Sequence, residues 1–268
     1  MLAELKISIS SLMKKRSNQQ MKINAKTLAC IAWIIPLTLS GCGGDSTDSS
    51  SQLHLITTYK LAFGEPSGIA YDEKENVFWI VSGADQKIYK TDSAGVVLKK
   101  LSYTGEDLEG IVLDDSAKSI WIVEERKREL LQLDLEGNVL QRSLIPLPGK
   151  QNSGLEGVAK NEQNTIFLLN EKKPGSFVEL NSDLTIKAQI EIYFADDFSD
   201  MVYSAKERCF FILSDESSAL YKWTKETGVI QKFRLPKTKY EGVAMNAAAN
   251  KFFMVNDETN ELSVYSLK

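Results

Sequence analysis

Histidine is almost absent from this chain. His54 is the only one in 268 residues. A catalytic triad built on histidine or a histidine-ligated zinc site therefore has almost nothing to draw on. Cysteine is scarce too, with Cys30, Cys42 and Cys209 alone. Three thiols that far apart make no disulfide framework. Cys209 lies within an apolar stretch, where a buried thiol is the better reading than a nucleophile. There is no phosphate-cradling P-loop, no dinucleotide fingerprint and no Asp-x-Asp-x-Asp-Gly calcium loop. Positive charge is in deficit, with 32 Lys and Arg against 36 Asp and Glu. Nucleic acid is not an expected partner, because its phosphates require a basic face. No apolar run is long enough for a comfortable membrane-spanning helix.

What is present begins with a distinctive leader. Met21-Lys22-Ile23-Asn24-Ala25-Lys26 is a short basic segment, followed by an apolar run from Thr27 to Leu39. Leu39-Ser40-Gly41-Cys42 resembles a bacterial lipobox. Residues 1–42 therefore read as a lipoprotein signal peptide, with Met21 the more natural start. Cleavage before Cys42 would leave its thiol to carry the lipid and tie the chain to a membrane. A plain anchoring helix is the alternative. Gly43 follows the cysteine, where an Asp would favour the inner membrane, so the expectation is a cell-envelope protein at the periplasmic face of the outer membrane. The inner membrane is the alternative. Residues 43–51, rich in Gly, Ser, Thr and Asp, form a flexible tether. Beyond residue 42 the chain has 26 basic and 35 acidic residues, a formal charge near −9, which suits cations or basic partners.

The remainder, residues 52–268, is repetitive. Pro66-Ser67-Gly68-Ile69, Leu108-Glu109-Gly110-Ile111, Leu155-Glu156-Gly157-Val158, Phe198-Ser199-Asp200-Met201 and Tyr240-Glu241-Gly242-Val243 recur after 42, 47, 43 and 42 residues. A period of that length built from short strands predicts an all-β fold, a β-propeller. In the third repeat, strand a runs from Gly157 to Lys160, b over Thr165–Leu169, c over Ser176–Leu180 and d over Leu184–Tyr193. Strand b is apolar at successive positions, as in Ile120-Trp121-Ile122-Val123 and Phe252-Phe253-Met254-Val255. Both of its faces must therefore be covered, as when blades stack around an axis. Gly95, Gly137 and Gly228 mark tight c–d hairpins. The last repeat lacks a strand d, and the alternating segment Gln52–Leu61 can supply it and close the ring. Five four-stranded blades follow. Six would need a further repeat, and a two-sheet sandwich would not explain the even period.

In a propeller, strand a lines the central channel and strand b returns to the same face. One rim should therefore gather Glu109, Glu156 and Glu241 from the starts of strands a. Glu125, Glu171, Asp215 and Asp257 should join them from just past the ends of strands b. So many carboxylates repel one another unless cations, protons or water lie between them. Oxygen-only ligands favour calcium or magnesium over zinc, and calcium tolerates irregular geometry better, so calcium is the candidate cofactor, and otherwise there is none. The competing reading makes Glu-Gly a structural feature of the blade, with Gly allowing backbones to crowd at the axis. Arg126, Lys127 and Arg128, and Lys172 in the equivalent loop of the third repeat, are candidates for an anionic ligand, or else solvated loops. Two repeats depart from the pattern. The first has Ser67 in place of the acid. The fourth has Ser199-Asp200, with Asp200 on the opposite side of its strand from the aligned glutamates.

Leu-Glu-Gly-Ile/Val recurring with Trp-Ile-Val or Phe-Leu-Leu-Asn-Glu, behind a lipobox, resembles the YjiK family, also called SdiA-regulated proteins. The resemblance covers about residues 55–268 and is strongest at Asp107-Leu108-Glu109-Gly110 and Gly154-Leu155-Glu156-Gly157-Val158. It implies an envelope-associated β-propeller, with some members linked to calcium responses, and it supplies no reaction. Two functions compete. One is a lipid-anchored scaffold binding a small ligand or an envelope protein, with calcium. The other is a metal-dependent hydrolase of phosphoesters or lactones, using water on a carboxylate-held cation.

Overall fold

A computed structural model describes residues 52–114, 116, 118–148, 154–171 and 174–268. The leader, Cys42, the tether and Lys172 lie outside the described residues. Among those described there is no helix, and twenty strands form five antiparallel sheets of four. The closing strand is β1 (Leu53–Lys60). Blade one is β2 (Pro66–Asp72), β3 (Val77–Ser82), β4 (Lys87–Asp92) and β5 (Val97–Lys100). Blade two is β6 (Leu108–Asp114), β7 (Ser119–Glu124), β8 (Glu129–Asp134) and β9 (Val139–Leu144). Blade three is β10 (Leu155–Lys160), β11 (Ile166–Asn170), β12 (Ser176–Leu180) and β13 (Ile186–Glu191). Blade four is β14 (Asp200–Ser204), β15 (Cys209–Ser214), β16 (Ala219–Thr224) and β17 (Gly228–Arg234). Blade five is β18 (Tyr240–Met245), β19 (Lys251–Asn256) and β20 (Glu261–Leu267), completed by β1.

The apolar runs explain the stacking. Strands β3, β7 and β15 are buried at every position. Each sends alternate side chains to the blades on its two sides. Trp79 and Val81 of blade one meet Ile120 and Ile122 of blade two. Phe167 and Leu169 of blade three meet Phe210 and Ile212 of blade four. Phe78 and Ile80 meet Phe253 and Val255, which joins blade one to blade five. Each such side chain contributes about 1.5–3 kcal/mol on burial, so the hydrophobic core is five inter-blade layers.

Ring closure follows the expected pairing. Strand β1 runs antiparallel to β20, with Leu53 opposite Leu267 and Tyr59 opposite Leu262. Gln52 and Lys268 exchange main-chain hydrogen bonds of 3.0 and 3.2 Å. His54 sits on this outer strand opposite Ser266, remote from the hub. The three hairpin glycines take left-handed backbone, with φ of +80, +95 and +77° at Gly95, Gly137 and Gly228.

At the hub, the Glu-Gly step produces a bulge. Register shifts occur at Pro66/Ile69, Leu108/Ile111, Leu155/Gly157 and Tyr240/Gly242. An extra residue there bends strand a and re-aims the acid. Blade four differs: β14 pairs with β15 without a shift, from Asp200 opposite Leu213 to Ser204 opposite Cys209.

Candidate functional site

Strand a enters the hub at one end of the ring, and strand b returns there. Each blade thus delivers several residues to one opening. In four blades the first residue past strand b donates its N–H to the carbonyl of a residue on the loop entering strand a. The pairs are Gly83 to Glu65 at 2.7 Å, Glu125 to Asp107 at 2.9 Å, Glu171 to Gly154 at 3.0 Å and Asp257 to Lys239 at 3.0 Å. In blade four, Asp215 N–H bonds to Ser199 Oγ instead, at 3.3 Å. The last residue of each strand b (Ser82, Glu124, Asn170, Ser214, Asn256) is buried. It ties down loops: Ser82 Oγ donates to Gly64 O at 2.8 Å, and Glu124 Oε1 accepts from Tyr103 Oη at 2.7 Å.

The result is an open cavity of about 570 Å³. All seven sequence-predicted acids line it: Glu109, Glu156 and Glu241 from strands a, and Glu125, Glu171, Asp215 and Asp257 from the strand b ends. Glu65, Asp107, Asp197 and Glu216 add further carboxylates, and Arg126 and Lys239 are the two cationic side chains of the lining. The repeat alignment does not single out Asp107, Asp197 or Lys239, and shows Glu65 only as the acid two residues before Ser67. All four stand two residues before the aligned positions Ser67, Glu109, Ser199 and Glu241, on the loops that enter strand a.

The charge is unevenly balanced. On the blade five side, Lys239 Nζ lies 2.7 Å from Asp257 Oδ2 and 3.3 Å from Glu241 Oε1. Arg126 Nε pairs with Asp107 Oδ2 at 2.9 Å. Between blades two and three, acids crowd together. Oxygens of Asp107, Glu109 and Glu125 lie within 4.8 Å of one another, and so do those of Glu125, Glu156 and Glu171. Calcium binds oxygens at about 2.3–2.6 Å, so ligands on opposite sides of one ion stand about 5 Å apart. Both triads fit that span, and Glu125 belongs to each.

Five of these acids are hard to ionise. Burial, then the charges of Glu241, Asp107 and Glu125, holds Glu109 well above the usual carboxyl range. Burial, then Glu109, Glu125 and Glu171, does the same to Glu156. Glu125 is pushed up to about 7 by burial and by sharing a hydrogen bond with Asp107, although Gly154 N–H donates to it at 3.0 Å. Asp197 also rises to about 7, through burial and its contact with Asp215. Glu241 is raised by burial, against the opposing pull of Lys239.

The loop candidates separate. Arg126 reaches the cavity, already paired. Arg128 is not among the lining residues: its guanidinium donates to Leu147 O, and it lies with Leu144, Ile145 and Pro146 outside the rim. The reason is the tight turn after β7. Arg128 takes φ +52° and its carbonyl accepts from Ile145 N–H at 2.8 Å, which turns its side chain toward its own blade's outer strand. Cys209 is buried, and burial pushes its thiol up to about 11, as suits a core residue.

Five blades of this construction, opening on an acidic mouth, define a five-bladed β-propeller. The chain belongs to the SdiA-regulated family, whose profile it matches over residues 56–260. No curated relative matches it. Among solved structures, a glutaminyl cyclase from Myxococcus xanthus is similar over 82% of this chain and 98% of its own, at 12% identity and a TM-score of 0.63. A luciferin-regenerating enzyme aligns over 79% of this chain and 95% of its own, at 11% identity and a TM-score of 0.51. A streptogramin B lyase aligns over 80% of this chain and 73% of its own, at 16% identity and a TM-score of 0.50. These likenesses are of fold.

Proposed function

We propose that this chain is a lipid-anchored envelope protein whose propeller binds calcium at the acidic mouth and, through that mouth, a small ligand or an envelope protein. The observation that carries the reading is the pair of carboxylate triads joined at Glu125. Hard oxygen donors alone, irregularly placed, match calcium's preferences. Anchoring is supported by the lipobox-like Leu39-Ser40-Gly41-Cys42. Cys42→Ala should move the protein from the membrane fraction to the soluble one.

The metal is tested by thermal unfolding with calcium and with chelator. At a calcium concentration 100 times the dissociation constant, binding to the folded state adds about 2.7 kcal/mol. For a domain of this size that is about 5–10 °C in Tm. Glu125→Gln, which touches both triads, should abolish most of the shift. An unchanged midpoint at millimolar calcium would remove the reading.

A second reading, a metal-dependent hydrolase of phosphoesters or lactones, is favoured by one feature. Glu125 and Asp197 are held near neutrality, where a general base works best. A panel of phosphatase and lactonase substrates on the wild type and Glu156→Gln decides it. Turnover that ignores Glu156 would count against this site.

A further inference from the structure

One residue deeper than the acids, the hub is ringed by Gly68, Gly110, Gly157, Asp200 and Gly242. Three of the five positions have no room for a side chain, and Gly157 is tight. A Cβ on Gly68 would stand 3.0 Å from Gly110 Cα and closer still to Glu109 O. A Cβ on Gly242 would stand 2.5 Å from Ser67 O, and one on Gly110 would press on Glu156 O. In each case the obstacle is a main-chain carbonyl of the next blade. At Gly157 the pattern changes: Met201 N at 3.0 Å and Asp200 Cα and Oδ1 at 3.1 Å stand where the other blades place a carbonyl. Oxygens from four blades therefore face the glycine ring: the carbonyls of Glu109, Glu156 and Ser67, and a carboxylate oxygen of Asp200.

Asp200 is the odd member. It is 2% exposed. Its Oδ2 accepts from Val243 N–H of blade five at 2.8 Å, while Oδ1 has no hydrogen-bond partner. A buried carboxylate oxygen left without a partner is destabilising. No base approaches from below. The far side of the hub is a small, mainly apolar funnel lined by Ile69, Ile111, Val158, Met201 and Val243, and Lys160 at its edge is paired to Asp114. Above lies the acidic mouth, which concentrates cations. A carbonyl keeps a second lone pair after accepting one hydrogen bond, so all four oxygens can face an ion.

We propose that these hub oxygens, Asp200 Oδ1 and the main-chain carbonyls of Ser67, Glu109 and Glu156, seat a calcium ion beneath the mouth, separate from the two carboxylate triads. The seat does not depend on the mouth binding metal. It would pin blades one to four to one another, so its role is structural.

Calorimetric titration of calcium into the chelated full chain tests this, with Asp200→Asn and Glu125→Gln beside the wild type. The Asn amide oxygen can still accept from Val243, and the formal charge is gone. Asp200→Asn should lose one calcium or weaken it at least tenfold, and should retain the site that Glu125→Gln removes. Equal stoichiometry and affinity in wild type and Asp200→Asn would overturn the seat and leave the mouth standing. Loss in Asp200→Asn with no effect of Glu125→Gln would do the reverse. Should Asp200→Asn fail to fold, a wild-type crystal grown in calcium decides. An anomalous peak about 2.3–2.6 Å from Asp200 Oδ1 supports the seat, and water or nothing there overturns it.

Discussion

Replacing Gly110 by alanine tests the crowding on which the whole site rests. The new Cβ would stand 2.8 Å from Val158 N and 2.9 Å from Gly157 Cα, and nearer still to Glu156 O. All three are main-chain atoms of β10, which is fixed by its own pairing to β11. No rotamer change can relieve the contact. Blades two and three would have to part, loosening Trp121 and Val123 from Val158 and Leu168. Overpacking of this kind costs about 1–3 kcal/mol, and a purely main-chain obstacle belongs at the upper end. Alanine recovers about 0.4–1 kcal/mol by restricting the unfolded chain. The net loss should be about 2 kcal/mol, or about 4–8 °C in Tm for a domain of this size. Gly228→Ala is the control. Nothing lies within 4 Å of its Cβ, and only its φ of +77° opposes the change, which costs about 1–2 kcal/mol before the same recovery. Circular dichroism melts in chelator read both. The reasoning fails if Gly110→Ala melts with the wild type, or above Gly228→Ala.

Acidity gives a second test. The folded rim binds protons that the unfolded chain has released, because Glu109, Glu156 and Asp200 are raised and Glu125 and Asp197 sit at about 7. Stability in chelator should therefore fall as pH rises from about 5 to 8. Saturating calcium, which binds the ionised groups, should flatten or reverse that slope; a Tm that climbs with pH in chelator contradicts it. Lys160→Ala takes from the buried Asp114 its cation at 2.5 Å while the hydrogen bonds from Ser116 Oγ and Trp121 Nε1 remain, and should cost about 3 kcal/mol in urea unfolding, whereas a loss under 1 kcal/mol would show the pair to be dispensable. Lys239→Met removes the internal cation beside Asp257 and Glu241. Calcium affinity should rise several-fold, and weaker binding would mean that Lys239 holds the rim in shape. Cys209 should resist thiol reagents until the protein unfolds, and rapid native labelling would disprove its burial.

The ring was legible in the sequence because every blade repeats the same physical demand. Strand b must be apolar on both faces, and the entry to strand a must be thin enough to crowd an axis. Phe78-Trp79-Ile80-Val81 and its counterparts meet the first demand, and Glu-Gly or its variants the second. The seven rim acids followed because their places are set by backbone position alone. Residues whose direction depends on a local turn were less legible. Arg126 and Arg128 are two apart on one loop, yet only the first faces the mouth, because the second closes a tight turn against Ile145. The loop positions two before Ser67, Glu109, Glu156, Ser199 and Glu241 hold Glu65, Asp107, Gly154, Asp197 and Lys239, too varied in chemistry to read as a repeat.

Asp200 marks the limit most clearly. The alternation of a regular strand puts it opposite the glutamates, but in the other four blades the reference strand is bulged and blade four is not. Its side chain enters the one gap in the hub that the glycines leave. A propeller repeats its backbone and varies its side chains, so its chemistry must lie where the blades differ. Here blades two and three bring clustered acids, blade four brings a carboxylate to the hub, and blade five brings a lysine. Of the lining's two cations, Lys239 stands beside Glu241 and Asp257 and Arg126 beside Asp107, so the acids crowd most where the two triads meet, at Glu125.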